Sequence, residues 1–142
     1  MNAKEYLLQI HQYDVKIRQR KQQIAELESV LYGLKGGSLG ERVNTSAKSE
    51  AAFVASVEKL QALKSELSTL VNNYVDKKNL IVSQIQRLEN ELYMELLYKK
   101  YVEYKRLELI AVEMHYSFIH VRRLHGWALK NFGKKFLKDD TQ

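Results

Sequence analysis

An apolar side chain returns at every seventh position over most of this chain, and no proline interrupts the pattern. Ala3, Ile10, Ile17, Ile24 and Leu31 share one phase. Tyr6, Tyr13, Leu27 and Leu34 fill the companion position, with Arg20 the exception. A second series runs Phe53, Leu60, Leu67, Tyr74, Ile81 and Leu88, accompanied by Val57, Val71, Ile85 and Leu92 and broken by Lys64 and Lys78. A period of seven keeps side chains on one face of an α-helix, so each series is a seam along a helix. Lys16, Arg18, Lys21, Gln22, Gln23, Glu26 and Glu28 fall between the seam positions and suit solvent. The spacing predicts one helix over about 3–34 and a second from near Ala51 to about Tyr101, the latter roughly 75 Å long at 1.5 Å per residue.

The first seam stops at "LKGGSLGERVNTSAKS". Gly36, Gly37 and Gly40 each disfavour helix by about 1 kcal/mol relative to alanine, and Asn44, Thr45 and Ser46 are candidate N-caps. The segment reads as a connector over about 35–48. Its "GGSLGER" lacks the GxxxxGK[ST] spacing of a phosphate-cradling loop. A long helix with one apolar stripe is not stable alone in water. The nearest partner is the first helix, folded back as an antiparallel, coiled-coil-like hairpin. Two layers leave surface uncovered, so a homo-oligomer, dimer or higher, is expected. Its seam would run through Ile10, Ile17, Ile24 and Leu31 on the first helix and Leu60, Leu67, Tyr74 and Ile81 on the second. Arg20, Lys64 and Lys78 mark where that seam opens or where its register is set.

From Glu91 onward the heptads give way to shorter pieces. The expected division is a helical hairpin over 1–90 and a second domain over 91–142. The charge divides similarly. The net charge is +6, but residues 1–95 hold 13 Lys and Arg against 12 Asp and Glu, whereas residues 96–142 hold 10 against 5. The C-terminal excess is either a field that attracts an anionic polymer or a solvated basic tail.

Within this third, "YKR" at 104–106 reads as a corner. "LELIAVEM" at 107–114 places Leu107, Ile110, Ala111 and Met114 on one face. "HYS" reads as a three-residue turn. "FIHVRRLHGWALKNF" has Val121, Leu124, Ala128, Leu129 and Phe132 at helical spacing. Two short helices joined by three residues describe a helix-turn-helix. The fold class is therefore all-α: a long hairpin followed by a C-terminal helix-turn-helix. Ser117 suits the N-cap of the last helix. With Val121 and Leu124 inward, 100° per residue puts Phe118, Ile119, Arg122 and Arg123 outward, where arginines can reach guanine edges and apolar groups can meet thymine methyls. Ser117, His120, Lys105, Arg106, Lys130, Lys134 and Lys135 are candidates for phosphate contact, with Lys99, Lys100 and Lys138 nearby in sequence. The competing reading leaves Arg122 and Arg123 as a solvated pair, and a rotated helix would bury Phe118 and Ile119.

Residues 96–132 resemble the helix-turn-helix of sigma-factor region 4, through Leu97, Tyr101, Ile110, Ala111, Ser117, Val121, Leu124, Ala128 and Leu129. "YS", "V-R-R-L-H" and "AL" after a long helical half are similar to the late transcriptional regulators of Gram-positive bacteriophages, of the RinA/ArpU kind. The detailed match covers about a quarter of the chain. The resemblance implies sequence-specific binding of double-stranded DNA, activation of phage late genes, and host RNA polymerase as a further partner. It places Phe118, Ile119, Arg122 and Arg123 where sigma-type domains contact promoter bases. Sigma domains carry polar residues where this chain has Phe118 and Ile119, so no target sequence carries over. They carry glycine where this chain has His115, a position that often needs positive φ. The cap expected before the first helix of the pair is replaced by Lys105 and Arg106.

Other classes fit less well. No enzyme is expected: His115, His120 and His125 are five apart and so diverge around a helix, and there is no cysteine. No metal or cofactor is expected. No apolar run approaches the roughly 18 residues that span a bilayer, and "MNAKEYLLQIHQYD" has no apolar core of a signal peptide, so no membrane contact and a cytoplasmic location in a bacterial host are expected. Two alternatives stay open. One is a DNA-binding phage packaging subunit of the small-terminase kind, although its DNA-binding part would come first in the chain. The other is a coiled-coil adaptor whose C-terminal third docks on protein.

Overall fold

The computed structural model describes residues 1–37 and 46–137, with side chains over 1–33 and 48–137. Among these residues all regular structure is helical. Helix α1 spans Ala3–Gly37, α2 Ser46–Gln86, α3 Glu91–Leu97, α4 Leu107–Met114 and α5 Phe118–Phe136, and α3 passes directly into one π-helical turn, Tyr98–Val102. Gly36 and Gly37 thus belong to α1 and Ser46 to α2, so the helices take up both ends of the connector expected over 35–48. The rest of that connector, with Gly40 and the candidate caps Asn44 and Thr45, lies outside the described residues.

The second long helix ends fifteen residues before the expected Tyr101, at Gln86. The physical cause is Asn90. Its backbone is extended and its Oδ1 accepts from the N–H groups of Leu92 and Tyr93, at 2.9 and 3.3 Å, so a new helix starts there. Leu88 had suggested continuity because it keeps the heptad phase. It is indeed buried, but in a tightened turn in which Arg87 and Leu88 donate to Gln84 and Ile85 carbonyls.

The chain divides into two compact units, Val15–Asn73 and Met1–Asp14 with Tyr74–Gln142. In Val15–Asn73, Ile17, Ile24 and Leu31 are buried, while Leu60 and Leu67 are half-buried. The interruptions in the apolar series find acidic partners on the other helix: Arg20 meets Glu66 at 3.3 Å and Lys64 meets Glu28 at 3.0 Å. Both pairs are exposed and each contributes about 0–1 kcal/mol, so they select a register more than they stabilise it.

In the other unit, α1 opens with a reciprocal cap. Asn2 Oδ1 accepts from Glu5 N–H at 2.8 Å, and Glu5 Oε2 accepts from Asn2 N–H at 3.3 Å. Its core collects Leu7 and Ile10 of α1, Ile81 and Ile85 of α2, Leu96 and Leu97 of α3, Ile110 of α4, and Val121 and Phe132 of α5, all fully buried. Tyr6 packs its ring 5.8 Å from that of Phe132, and its hydroxyl donates to Gln84 at 2.7 Å. Tyr74, expected in an oligomer seam, is half-buried here with its ring 6.5 Å from Tyr13. Lys78 lies over that ring at 5.5 Å.

Candidate nucleic-acid interface

The placement of α5 begins at the end of α4. His115 closes α4 in the left-handed conformation, φ 61 and ψ 39, and Tyr116 N–H reaches back to Ala111 carbonyl at 3.0 Å. The His115 N–H also reaches the Ala111 and Val112 carbonyls, so these last carbonyls of α4 are satisfied by the turn. Histidine tolerates this region at a cost of about 1–2 kcal/mol that glycine would not incur. The chain then turns through extended Ser117, whose Oγ accepts from His120 N–H at 3.2 Å and starts α5. Ala111 is buried, and Val121, Leu124, Ala128 and Phe132 are buried along α5 at helical spacing.

One face of α5 is therefore committed to the core and the opposite face is open. Ile119 is 63% exposed and Phe118 39%. Arg122 and Arg123 are exposed, and Arg122 lies 5.9 Å over the Phe118 ring. Phe118 and Ile119 are thus placed on the surface, not in the core. Further along the same side stand Gly126, Trp127 and Lys130. A methyl group added at Gly126 would touch nothing, so packing does not require glycine there. Trp127 is 50% exposed. The helix carries five Lys and Arg and no Asp or Glu, so nothing along it offsets its positive field.

The candidate phosphate ligands separate into two groups. Lys130, Lys134 and Arg106 are exposed, and His120 is half-exposed with its ring edge-on to Tyr116 at 4.9 Å. Lys105, by contrast, is taken up within the chain. Its Nζ lies 2.7 and 2.8 Å from the two oxygens of Glu113 and 2.9 Å from Glu103. The Glu113 and Glu103 carboxylates raise the Lys105 pKa, and Lys105 followed by Lys99 lowers that of Glu113. Lys105 is thus engaged by carboxylates of its own chain, unlike Lys130 and Lys134; Lys99, 3.3 Å from Glu113, joins the same cluster. Lys135 donates to the Arg87 carbonyl and lies 5.6 Å over the Phe136 ring, so it ties the end of α5 to the turn after α2. Lys138 lies outside the described residues.

Behind the open face sits a pair that no spacing argument pointed to. Tyr101, on the π-helical turn, is almost fully buried, and its hydroxyl is 2.7 Å from His125 Nε2. Burial pushes the tyrosine up to about 12. Burial, with the positive fields of Lys100 and Lys4, lowers His125 to about 4, so the ring is neutral at physiological pH. The π-helical turn brings Tyr101 to this point, and Tyr104 just beyond it adopts positive φ, 59. The Tyr104 ring packs edge-on to His11 at 4.9 Å, and burial, followed by the Asp14 neighbour, raises its pKa.

Among the described residues no three His, Asp or Glu side chains converge as a metal site requires, and no helix is long and apolar enough to cross a membrane. Compared with known protein families, with curated proteins and with solved structures, the chain finds no match.

Proposed function

We propose that the chain is a sequence-specific DNA-binding transcriptional regulator, an activator of phage late genes, in which α4 and α5 act as a helix-turn-helix. In this reading Phe118, Ile119, Arg122 and Arg123 meet base edges in the major groove. Ser117, His120, Arg106, Lys130 and Lys134 contact phosphates around them. The long helices assemble two or more copies, which would place two reading helices on one duplex, and offer a surface to host RNA polymerase. The observation that carries the reading is the division of α5: a buried apolar stripe on one side, and on the other an exposed surface with Arg122, Arg123, Lys130 and Lys134 and no carboxylate from the helix.

The test is selection of bound duplexes from a random pool, followed by salt titration of the enriched sequence. The expected result is a defined motif whose log affinity falls with log salt at about 0.9 per phosphate neutralised. Replacing Arg122 and Arg123 together by alanine is expected to weaken the motif at least tenfold while the circular dichroism spectrum stays helical, since each bidentate base contact is worth about 1–3 kcal/mol. Unchanged preference in that variant overturns the assignment of the reading face. Uniform, salt-sensitive binding without a motif points instead to a packaging role. Light scattering that gives a mass near 16.7 kDa would overturn the assembly.

A second reading, docking on another protein, is favoured by Leu109 at 49% exposed, Val112 at 71% and Trp127 at 50%. An interface of that kind is apolar, and its affinity would rise or hold as salt increases.

A further inference from the structure

The first turn of α1 lies against the last turns of α5. Ala3 is buried, and its Cβ is 3.7 Å from where a Cβ on Gly133 would stand. Lys4, from the opposite end of the sequence, joins Lys130 and Lys134 around a shallow groove of about 400 Å³ floored by Ala3, Leu129 and Leu137. Among the described residues no carboxylate lines this groove. All three lysines are exposed, and none forms an ion pair among the described residues. They differ in this from Lys99 and Lys105, which Glu113 and Glu103 neutralise. The nearness of Lys4 is also felt at His125, where it adds to the positive field.

The direction of these lysines matters as much as their charge. Lys130 and Lys134 follow Arg123 by seven and eleven residues, so all three lie within about 20° of one line along α5. That line advances roughly 17 Å from Arg123 to Lys134 at 1.5 Å per residue. Gly126 sits beside it, with open space above its backbone. A strand that leaves the reading half of α5 and follows this line past Trp127, which is half-exposed beside it, arrives between Lys130, Lys134 and Lys4.

We infer that Lys4, Lys130 and Lys134 form one contact for the phosphate backbone of duplex DNA, extending the α5 interface onto the first turn of α1. The inference rests on the reading of α5 as a DNA-binding helix. It makes the beginning of the long-helix region a direct part of the DNA surface. Because the contact touches phosphates only, it adds affinity without sequence preference.

The experiment uses the full chain and a labelled mixed-sequence duplex, with affinity measured across a salt series for wild type, Lys4→Gln, Lys130→Gln and Lys59→Gln. Lys59 is exposed on α2 in the other compact unit, and its replacement changes net charge by the same amount. Lys4→Gln and Lys130→Gln are each expected to weaken binding several-fold and to make the log–log salt slope shallower by about 0.9, with Lys59→Gln unchanged. Circular dichroism confirms that each variant is folded. Steep wild-type salt dependence with an unaltered slope in Lys4→Gln overturns this contact and leaves the reading of α5 standing. Equal losses in Lys4→Gln and Lys59→Gln overturn it as well, since net charge alone would then account for the effect. Failure of the wild type to bind duplex overturns both the contact and the reading it rests on.

Discussion

The two compact units bury the same kinds of side chain to different depths. Among the described residues, the largest fully buried side chains, Phe132, Leu7, Ile10, Ile81, Ile85, Leu96, Leu97, Ile110 and Val121, all belong to Met1–Asp14 with Tyr74–Gln142. In Val15–Asn73 the best-buried residues, Ile17, Ile24 and Leu31, keep 7–8% of their surface, and Leu60 and Leu67 keep more. The heptad pattern is equally regular in both. What differs is the number of layers. In the first unit α3, α4 and α5 add to the ends of the long helices and close the core. In the second, only α1 and α2 contribute among the described residues, and the seam residues keep part of their surface. A seam therefore states which residues face inward; the elements packed around it decide how completely they leave water.

Three measurements would break or sharpen that contrast. The largest effect is expected from Phe132→Ala. It removes a fully buried ring that packs 5.8 Å from Tyr6 and 4.9 Å from Phe136, and should cost about 3–5 kcal/mol in urea denaturation. A cost near 1 kcal/mol would mean that this core collapses around the gap and is not tightly enclosed. Next comes Ile24→Ala in the two-helix unit, expected at about 2 kcal/mol, the low end for a buried branched residue. A loss as large as that of Phe132→Ala would show the seam enclosed by additional surface in solution, as a second copy would provide. The third measurement is the dependence on pH. His125 is neutral in the fold, with its pKa lowered from 6.5 to about 4. Between these values the unfolded chain binds a proton that the folded chain does not, so stability is full above about pH 6.5 and declines as pH falls toward 4. The melting temperature of His125→Gln should vary less over this window than that of wild type. Identical profiles would remove His125 as the group responsible.

Much of this architecture was legible as periodicity. The inward stripe Val121, Leu124, Ala128 and Phe132 follows from helical spacing, and the open face of α5 follows by subtraction. The bounds of α4 and the left-handed turn at His115 agree with "LELIAVEM" and with the position where glycine is expected. The break at Asn90 was hidden because Leu88 keeps the seam's phase while the chain leaves the helix. A cap depends on one side chain and two amides, and leaves little trace in an average over many residues. The fate of Lys105 was hidden for another reason. A lysine eight residues before a glutamate has no fixed geometry until the corner at Tyr104 turns it back onto Glu113. Lys4 beside Lys130 and Lys134, and Tyr101 against His125, are long-range meetings that no local pattern encodes.

The π-helical turn at Tyr98–Val102 carries one residue more than an ordinary helical ladder holds. Deleting one of its half-exposed lysines would let an ordinary ladder close in its place, and the residues that follow would keep nearly the same direction, because the five residues of the wide turn sweep about the same angle as four of an ordinary one. The cost falls on the contacts of the lysine removed: Lys99 shares Glu113 with Lys105. Chain length is thus more freely adjusted here than within α3, where losing one residue would rotate everything after it by about 100°.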